Sequence, residues 1–314
     1  MPEVLASPDL VGKRGLDPLG QDNMTHPKVT IVILNWNGLR DTVECLESLK
    51  SITYPYHEII VVDNGSVGND VKILEEKYSS YAHIIANGRN LGFAAGNNVG
   101  IRQALRVGTD YVLVLNNDTV VDPLFLSELV AASEKDNRIG AVGPKLYYYD
   151  NPARLQLRQL YGKVGDTAKE METLSGAAFL VRRNALEEVG LLDEVFYPAY
   201  CEDRDFFERL KEHGYRILCV PTSKVYHKWS ATTNRDPYSQ SYLIIKNSFL
   251  LVRRRRINRS YVASVKLLFV ATSWQFVVLL RAAAVTRSIR PALMFLRGLK
   301  DGLIIFFKNP KGRW

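Results

Sequence analysis

The chain is short of cysteine and has neither of the two common glycine-rich nucleotide motifs. Cys45, Cys201 and Cys219 are odd in number and form no CxxC pair. That excludes a disulfide framework and a cysteine zinc site, and it fits a reducing, cytoplasmic compartment. No GxGxxG follows the first apolar segment and no GxxxxGK[ST] occurs, so dinucleotide-dehydrogenase and P-loop readings lose their main support. Residues 1–26 are rich in Gly and Pro without an apolar core, and are expected to be a flexible leader, not a secretory signal. The charge-free run 267–280 (LLFVATSWQFVVLL) has fourteen residues. A spanning helix needs about 20.

Acids are nearly missing from the C-terminal part. From Lys246 onward fifteen Lys or Arg accompany one acid, Asp301, so the net charge of +8 splits into +14 there and −6 before it. Two parts of one chain therefore meet different surroundings.

What is present is a core-forming sequence of 314 residues, 46% hydrophobic, enough for one large α/β domain with an appendage. Apolar runs at 28–35, 58–63, 83–86, 111–115 and 139–142 read as strands. Between them helical spacing recurs from Leu39 to Leu49, over 70–78, over 93–106 and from near Pro123. This alternation predicts a doubly wound, mostly parallel, Rossmann-like sheet. Beyond Lys145 the pattern loosens: 147–169 reads as irregular, 174–181 as a small-residue strand, 202–213 as a helix, and 216–220 and 224–227 as short strands.

Three of the early strands stop at polar residues: Asn35-Trp36-Asn37, Asp63-Asn64-Gly65 and Asn116-Asn117-Asp118. The C-terminal strand edge of an open α/β sheet is where ligands bind. An aromatic face, a carboxylate acceptor for a base N–H and a metal-binding carboxylate are what a nucleoside diphosphate needs. Asp118 reads either as a ligand for a hard divalent cation or as a helix N-cap before Pro123. The segment 90–98 (NLGFAAGNN) is a glycine-punctuated helix entry that lets free N–H groups approach a ligand, or packs the helix closely on the sheet. For Gly96 and Asn98 the packing role is expected.

Seven segments in order resemble the family 2 inverting glycosyltransferases of the GT-A fold, in the rhamnosyltransferase-like branch. They are TIVILNWNG (30–38), IIVVDNGS (59–66), NLGFAAGNN (90–98), LVLNNDT (113–119), LSGAAFLVRRNALEEVGLLDE (174–194), CEDRDFFERL (201–210) and VYHKWSAT (225–232). The resemblance implies metal-dependent transfer from a nucleoside-diphosphate sugar, dTDP- or UDP-linked, to a hydroxyl of a lipid-linked or polysaccharide acceptor. It implies nucleotide contacts at Asn35, Trp36, Asn37, Asp63, Asn90, Gly92, Asn116 and Asn117. It further implies Mg2+ or Mn2+ at Asp118, with His227 as second ligand. A lone histidine at a strand end otherwise reads as a structural residue, and Trp229-Ser230 stand where the family often has glycine.

The same resemblance assigns the general base to Asp203, within three acids in four positions at a helix start, where the helix dipole favours carboxylates. Asp205 and Arg209, four apart, are expected to pair structurally. Glu202 reads as a cap or an acceptor contact, and Ser175-Gly176 as the floor of the sugar site or as close packing. The implied organisation is a GT-A domain over 27–240, divided at 145/146 into nucleotide and acceptor halves, followed by a basic amphipathic tail over 241–314. A non-catalytic nucleotide-sugar-binding or scaffold protein on the same fold is the rival reading.

The tail places Arg253-Arg254-Arg255-Arg256 and Arg259 ahead of the 267–280 run with its Trp274, and repeats the theme at 303–307 (LIIFF) between Lys300 and Lys308. An interfacial helix on an anionic membrane surface, at the inner face of the cell membrane, is the expectation. The alternatives are packing on the catalytic domain or on a second copy as a homodimer. Nucleic acid is disfavoured, because the aromatics form no stacking platform.

Overall fold

The computed structural model describes residues 26–156, 165–228, 237–255 and 289–307, together with 273, 276 and 277. In chain order its first elements are β1 (Val29–Asn35), α1 (Leu39–Leu49), β2 (His57–Asp63), α2 (Asp70–Tyr78), β3 (His83–Ala86), α3 (Phe93–Arg106), β4 (Tyr111–Asn116), β5 (Thr119–Val121) and α4 (Phe125–Ser133). Then come β6 (Ile139–Tyr148), β7 (Lys169–Glu170), β8 (Ala178–Arg182), α5 (Arg183–Val189), α6 (Glu202–Glu212), β9 (Arg216–His227), α7 (Pro237–Arg255) and α8 (Arg290–Phe307).

The strands form one sheet in the order β3-β2-β1-β4-β8-β6-β9-β5, with β7 paired to β9. β1, β2, β3, β4, β6 and β9 run one way and β5, β7 and β8 the other. β1 shows why helices cover both faces. Ile31 and Ile33 enter one apolar core with Leu46, Leu74 and Leu129, while Val32 enters the other with Ile101, Leu186, Phe206 and Phe207. Each large apolar side chain so buried contributes about 1.5–3 kcal/mol. α3 lies close on its face because Gly96 and Gly100 line the contact: a Cβ at Gly100 would stand 2.4 Å from Val32 Cγ1, and one at Gly96 2.6 Å from Leu34 Cδ1.

Some elements differ from expectation. The strand expected at 139–142 continues to Tyr148, and the two short strands at 216–220 and 224–227 are one strand, β9. A register shift at Pro144/Lys145 lets β6 follow β9 over that length. β5 has no signal in the sequence, because three residues carry no period.

The end of the chain folds back on the sheet domain. α7 and α8 pack on each other, with Gly298 against Ile245 and Gly302 against Phe249. Leu250 and Leu251 of α7 pack with Phe196 of the catalytic part, so the boundary expected at 240/241 falls inside α7. α7 thus packs on the catalytic part and α8 on α7. Among the described residues no helix is long and apolar enough to cross a membrane. The run 267–280 with Trp274 lies almost wholly outside the described residues. Residues 1–25, Trp229, Ser230, Arg256, Arg259 and Lys308 lie outside them too.

Candidate active site

The ends of β2, β1 and β4 stand side by side, with Asn35 opposite Asp63 and Leu34 opposite Asn116. Asp63 is buried and its carboxylate is used up within the protein. Oδ1 accepts the N–H groups of Gly65 (3.1 Å) and Ser66 (2.9 Å), while Oδ2 accepts Asn35 Nδ2 (2.7 Å) and Ser66 Oγ (2.6 Å). These four contacts tie Asp63 to the loop that follows β2.

Its neighbours behave alike. Asn35 Nδ2 also reaches Ser66 and Asp70, and Asn35 Oδ1 accepts Thr42 Oγ1. Asn37, at φ 52°, accepts Val67 N–H on its side chain and donates its own N–H to Ser66 Oγ. Asn117 Nδ2 donates to Thr42 Oγ1 at 2.9 Å. Asn64 donates to Asn90 Oδ1 and Gly92 O and accepts from Asn87 and Leu91, which ties the α3 entry to β2. Trp36 alone among the expected nucleotide residues projects a large apolar face, 37% exposed. As expected, Gly96 serves packing, and Asn98 clamps α3 to Leu192 and Glu194.

Asp118 is not a helix cap. α4 begins seven residues later with Leu124 at its N-cap and no side-chain cap bond, whereas Asp118 stands immediately before β5, which pairs antiparallel with β9, Thr119 opposite His227. That pairing brings His227 Nε2 to 3.1 Å from Asp118 Oδ1, both residues under 10% exposed. Neighbouring ligands of an octahedral ion with bonds of about 2.1 Å stand about 3 Å apart. A carboxylate and an imidazole also suit Mn2+. The pair fits a divalent cation. No group of three or more His, Cys, Asp or Glu that could hold a metal occurs among the described residues, so further ligands would come from a diphosphate and water.

The adjacent Lys228 is committed elsewhere. Its Nζ bonds Asp41 Oδ1 at 2.5 Å and Glu44 Oε2 at 2.6 Å and lies over the Tyr149 ring. Burial works to lower the Lys228 pKa, but those two acids raise it on balance, and Lys228 in turn holds Glu44 below the usual carboxylate range.

Asp203 opens α6 on the other side. Its Oδ2 accepts the Gly176 N–H at 3.0 Å and its Oδ1 the Arg204 N–H at 2.7 Å. Asn116 N–H donates to Ala177 O at 2.8 Å, so the 175–177 segment joins the end of β4 to Asp203. A Cβ at Gly176 would stand 3.1 Å from Asp203 Oδ2, hence the small residue. Burial pushes the Asp203 carboxyl up, against the pull of those N–H groups and the Arg204 charge. Glu202 is buried, and burial first, then the neighbouring Asp203 charge, raises its carboxyl well above the usual range. It lies buried at the start of α6, with Oε2 lacking a hydrogen-bond partner. Asp205 and Arg209 pair at 2.8 Å, as expected.

Two contributors had no motif to mark them. Gln156, in the stretch expected to be irregular, bonds His227. Asn247 of α7 donates to the carbonyls of Phe196 (3.3 Å), Ala199 (2.9 Å) and Tyr200 (2.9 Å), and so holds the loop before Asp203. That loop needs holding, since Tyr200 and Cys201 both sit at φ near +77°, a region that costs a non-glycine residue about 1–2 kcal/mol.

The fold resembles those of solved GT-A glycosyltransferases. S. aureus TarS 1-349 in complex with UDP-GlcNAc aligns at TM-score 0.63 and 16% identity, over 89% of this chain and 81% of that one. Mannosyltransferase PcManGT of Pyrobaculum calidifontis, in complex with GDP-Man and Mn2+, aligns at 0.60 and 16%, over 92% and 89%. In sequence, an N-acetylglucosaminyl-diphospho-decaprenol L-rhamnosyltransferase of Mycobacterium tuberculosis is 27% identical over 244 residues, 67% of this chain and 79% of that protein. The glycosyl transferase family 2 model matches residues 30–196. With the strand-edge loops inside that match and Asp203 and His227 following it in order, the chain belongs to glycosyltransferase family 2, as a rhamnosyltransferase-like enzyme on the GT-A fold.

Proposed function

We propose that this enzyme moves a hexosyl or rhamnosyl group, with inversion, from a dTDP- or UDP-sugar to a hydroxyl of a lipid-linked or polysaccharide acceptor, with Asp203 as general base. The observation that carries it is the Asp203 carboxylate, oriented by the Gly176 and Arg204 N–H groups and raised in pKa by burial. A base whose pKa is raised accepts a proton more readily. The acceptor oxygen loses its proton to Asp203 and bonds the anomeric carbon. The nucleoside diphosphate leaves with the electrons of the broken C–O bond. Trp36 offers the face for the base, and the loops tied by Asp63 and Asn64 carry it.

Asp118 and His227 would hold the divalent cation. When bound, it neutralises charge developing on the departing diphosphate. The acceptor class rests on the relative that transfers rhamnose to a decaprenol-linked sugar and on α8. That helix exposes Leu293, Leu296, Leu303, Ile304 and Phe307 in one sequence with Arg290, Arg297 and Lys300, a composition suited to an anionic membrane surface at the cytoplasmic face.

The test is nucleoside diphosphate release with a panel of nucleotide sugars and membrane-lipid extract, with Mn2+ or Mg2+ and with EDTA. Asp203→Asn is expected to bind donor and not turn over; full turnover would overturn the mechanism. Sedimentation with anionic vesicles tests the membrane part, and Leu296→Asp with Ile304→Asp is expected to release the protein.

A further inference from the structure

Between the α3 entry and Asp203 runs a stretch of chain whose side chains the transfer chemistry leaves unused. Tyr197 is 55% exposed, yet its ring rests on Gly92: a Cβ there would lie 2.9 Å from Tyr197 Cδ2. Pro198 O accepts the Phe93 N–H at 2.7 Å, which fixes the same approach from the main chain. The ring is held from one side and open on another. An aromatic face so placed suits the C–H face of a sugar ring.

Lys246, the α7 residue before Asn247, is half-buried, and its Nζ donates to Tyr197 O at 3.2 Å. Among the described residues it has no ion-pair partner, whereas Arg254 and Arg297 have Asp193 and Asp301. Burial lowers the Lys246 pKa, and Asp301, acting from farther off, offsets this only in part. An arriving anion would relieve that desolvation, and an ammonium binds phosphate as a point charge. Ile245, beside Lys246, packs on Gly298 of α8, and α8 exposes Leu293, Leu296, Leu303, Ile304 and Phe307. Followed through these contacts from α8 to α6, the order is apolar surface, cation, aromatic ring, carboxylate. A sugar carried on a lipid phosphate has the matching order: chain, phosphate, ring, hydroxyl.

We propose that Tyr197 and Lys246 form the acceptor subsite, with the ring against the acceptor sugar and the ammonium on a phosphate that joins this sugar to its lipid. This rests on the transferase reading and deepens it. Of the acceptors named there, it selects the lipid-linked one whose sugar is carried on phosphate.

The experiment uses the full-length protein. Calorimetry in EDTA, which keeps diphosphate from the cation site, takes farnesyl diphosphate as probe, with farnesol and inorganic diphosphate as the chain and the phosphates alone. Wild type is expected to bind farnesyl diphosphate more tightly than either. Lys246→Met should weaken that binding about 10-fold and leave farnesol binding unchanged, and Lys246→Arg should restore it. Farnesol bound as tightly by wild type, or no effect of Lys246→Met, overturns the phosphate contact, and inorganic diphosphate bound as tightly overturns the lipid. For the ring, the readout is the amount of membrane-lipid extract that gives half-maximal nucleoside diphosphate release. Tyr197→Ala should raise it about 10-fold with donor KM unchanged, and Tyr197→Phe, which keeps the face, should reverse the loss. An unchanged amount, or a rise in donor KM instead, overturns the acceptor role of the ring. No release by wild type removes the transferase reading and the role of Tyr197 with it, while the calorimetry still decides on Lys246.

Discussion

Two acids stand at the rim of the sheet in opposite surroundings. Asp63 ends β2 with both oxygens filled by four protein donors. Asp203 begins α6 with one N–H on each oxygen and a raised pKa. A carboxylate whose acceptor sites are all filled serves architecture, because taking up a proton or a ligand there means breaking bonds already made. One left with unused acceptor capacity, next to a second acid that resists ionisation, is available for proton transfer. The difference separates a carboxylate engaged in holding a loop from one that keeps acceptor capacity to spare.

Exchanging the acids tests that contrast most severely. Asp203→Asn should lower turnover by about 10²–10⁴-fold while leaving donor affinity, read by calorimetry, unchanged. In the wild type the acid limb of kcat/KM should lie above the usual Asp value of 3.8, with the rate rising as pH rises through it. At the other acid, Asp63→Ala should cost about 3 kcal/mol of stability by urea unfolding, since four donors lose a charged acceptor, and donor affinity should fall with the collapse of the loop. Equal loss of donor affinity in both variants would abolish the distinction.

Asn247→Ala should cost about 2 kcal/mol, because three carbonyls at the loop lose their donor, and should lower turnover more than donor affinity. Glu202→Gln is the mildest change. The Glu202 pKa is raised in the folded state, so its contribution to stability is full below about 4.5 and lost as pH rises through the folded value. The melting temperature of Glu202→Gln, measured against pH, should therefore gain on the wild type as pH rises from 4 toward neutrality.

Much of the donor half was legible in the sequence. Runs such as VTIVILN and YVLVLN carry the two-sided burial of parallel strands, and their polar ends fall where the loops gather. The pairing of Asp118 with His227 was legible only by resemblance. In the fold it is produced by β5, three residues that no periodicity announces. The bonds of Asp63 within the loop were not legible, because an acid after a strand looks the same whatever donors surround it, and only the positions of Ser66 and Asn35 show them. Gln156 and Asn247 were invisible for a related reason: each acts through one buried amide on a main chain distant in sequence, and a single amide leaves no pattern.

The three carbonyls gathered by Asn247 bear on how the enzyme can be dissected. A fragment ending at residue 240 would keep every described strand and Asp63, Asp118, Glu202 and Asp203, yet it would leave Phe196 O, Ala199 O and Tyr200 O without their donor and the positive-φ turn at Tyr200-Cys201 without a brace. Such a fragment should still bind the nucleotide sugar while Asp203 loses its fixed position. Shortening the protein to improve its handling would thus separate donor recognition from transfer.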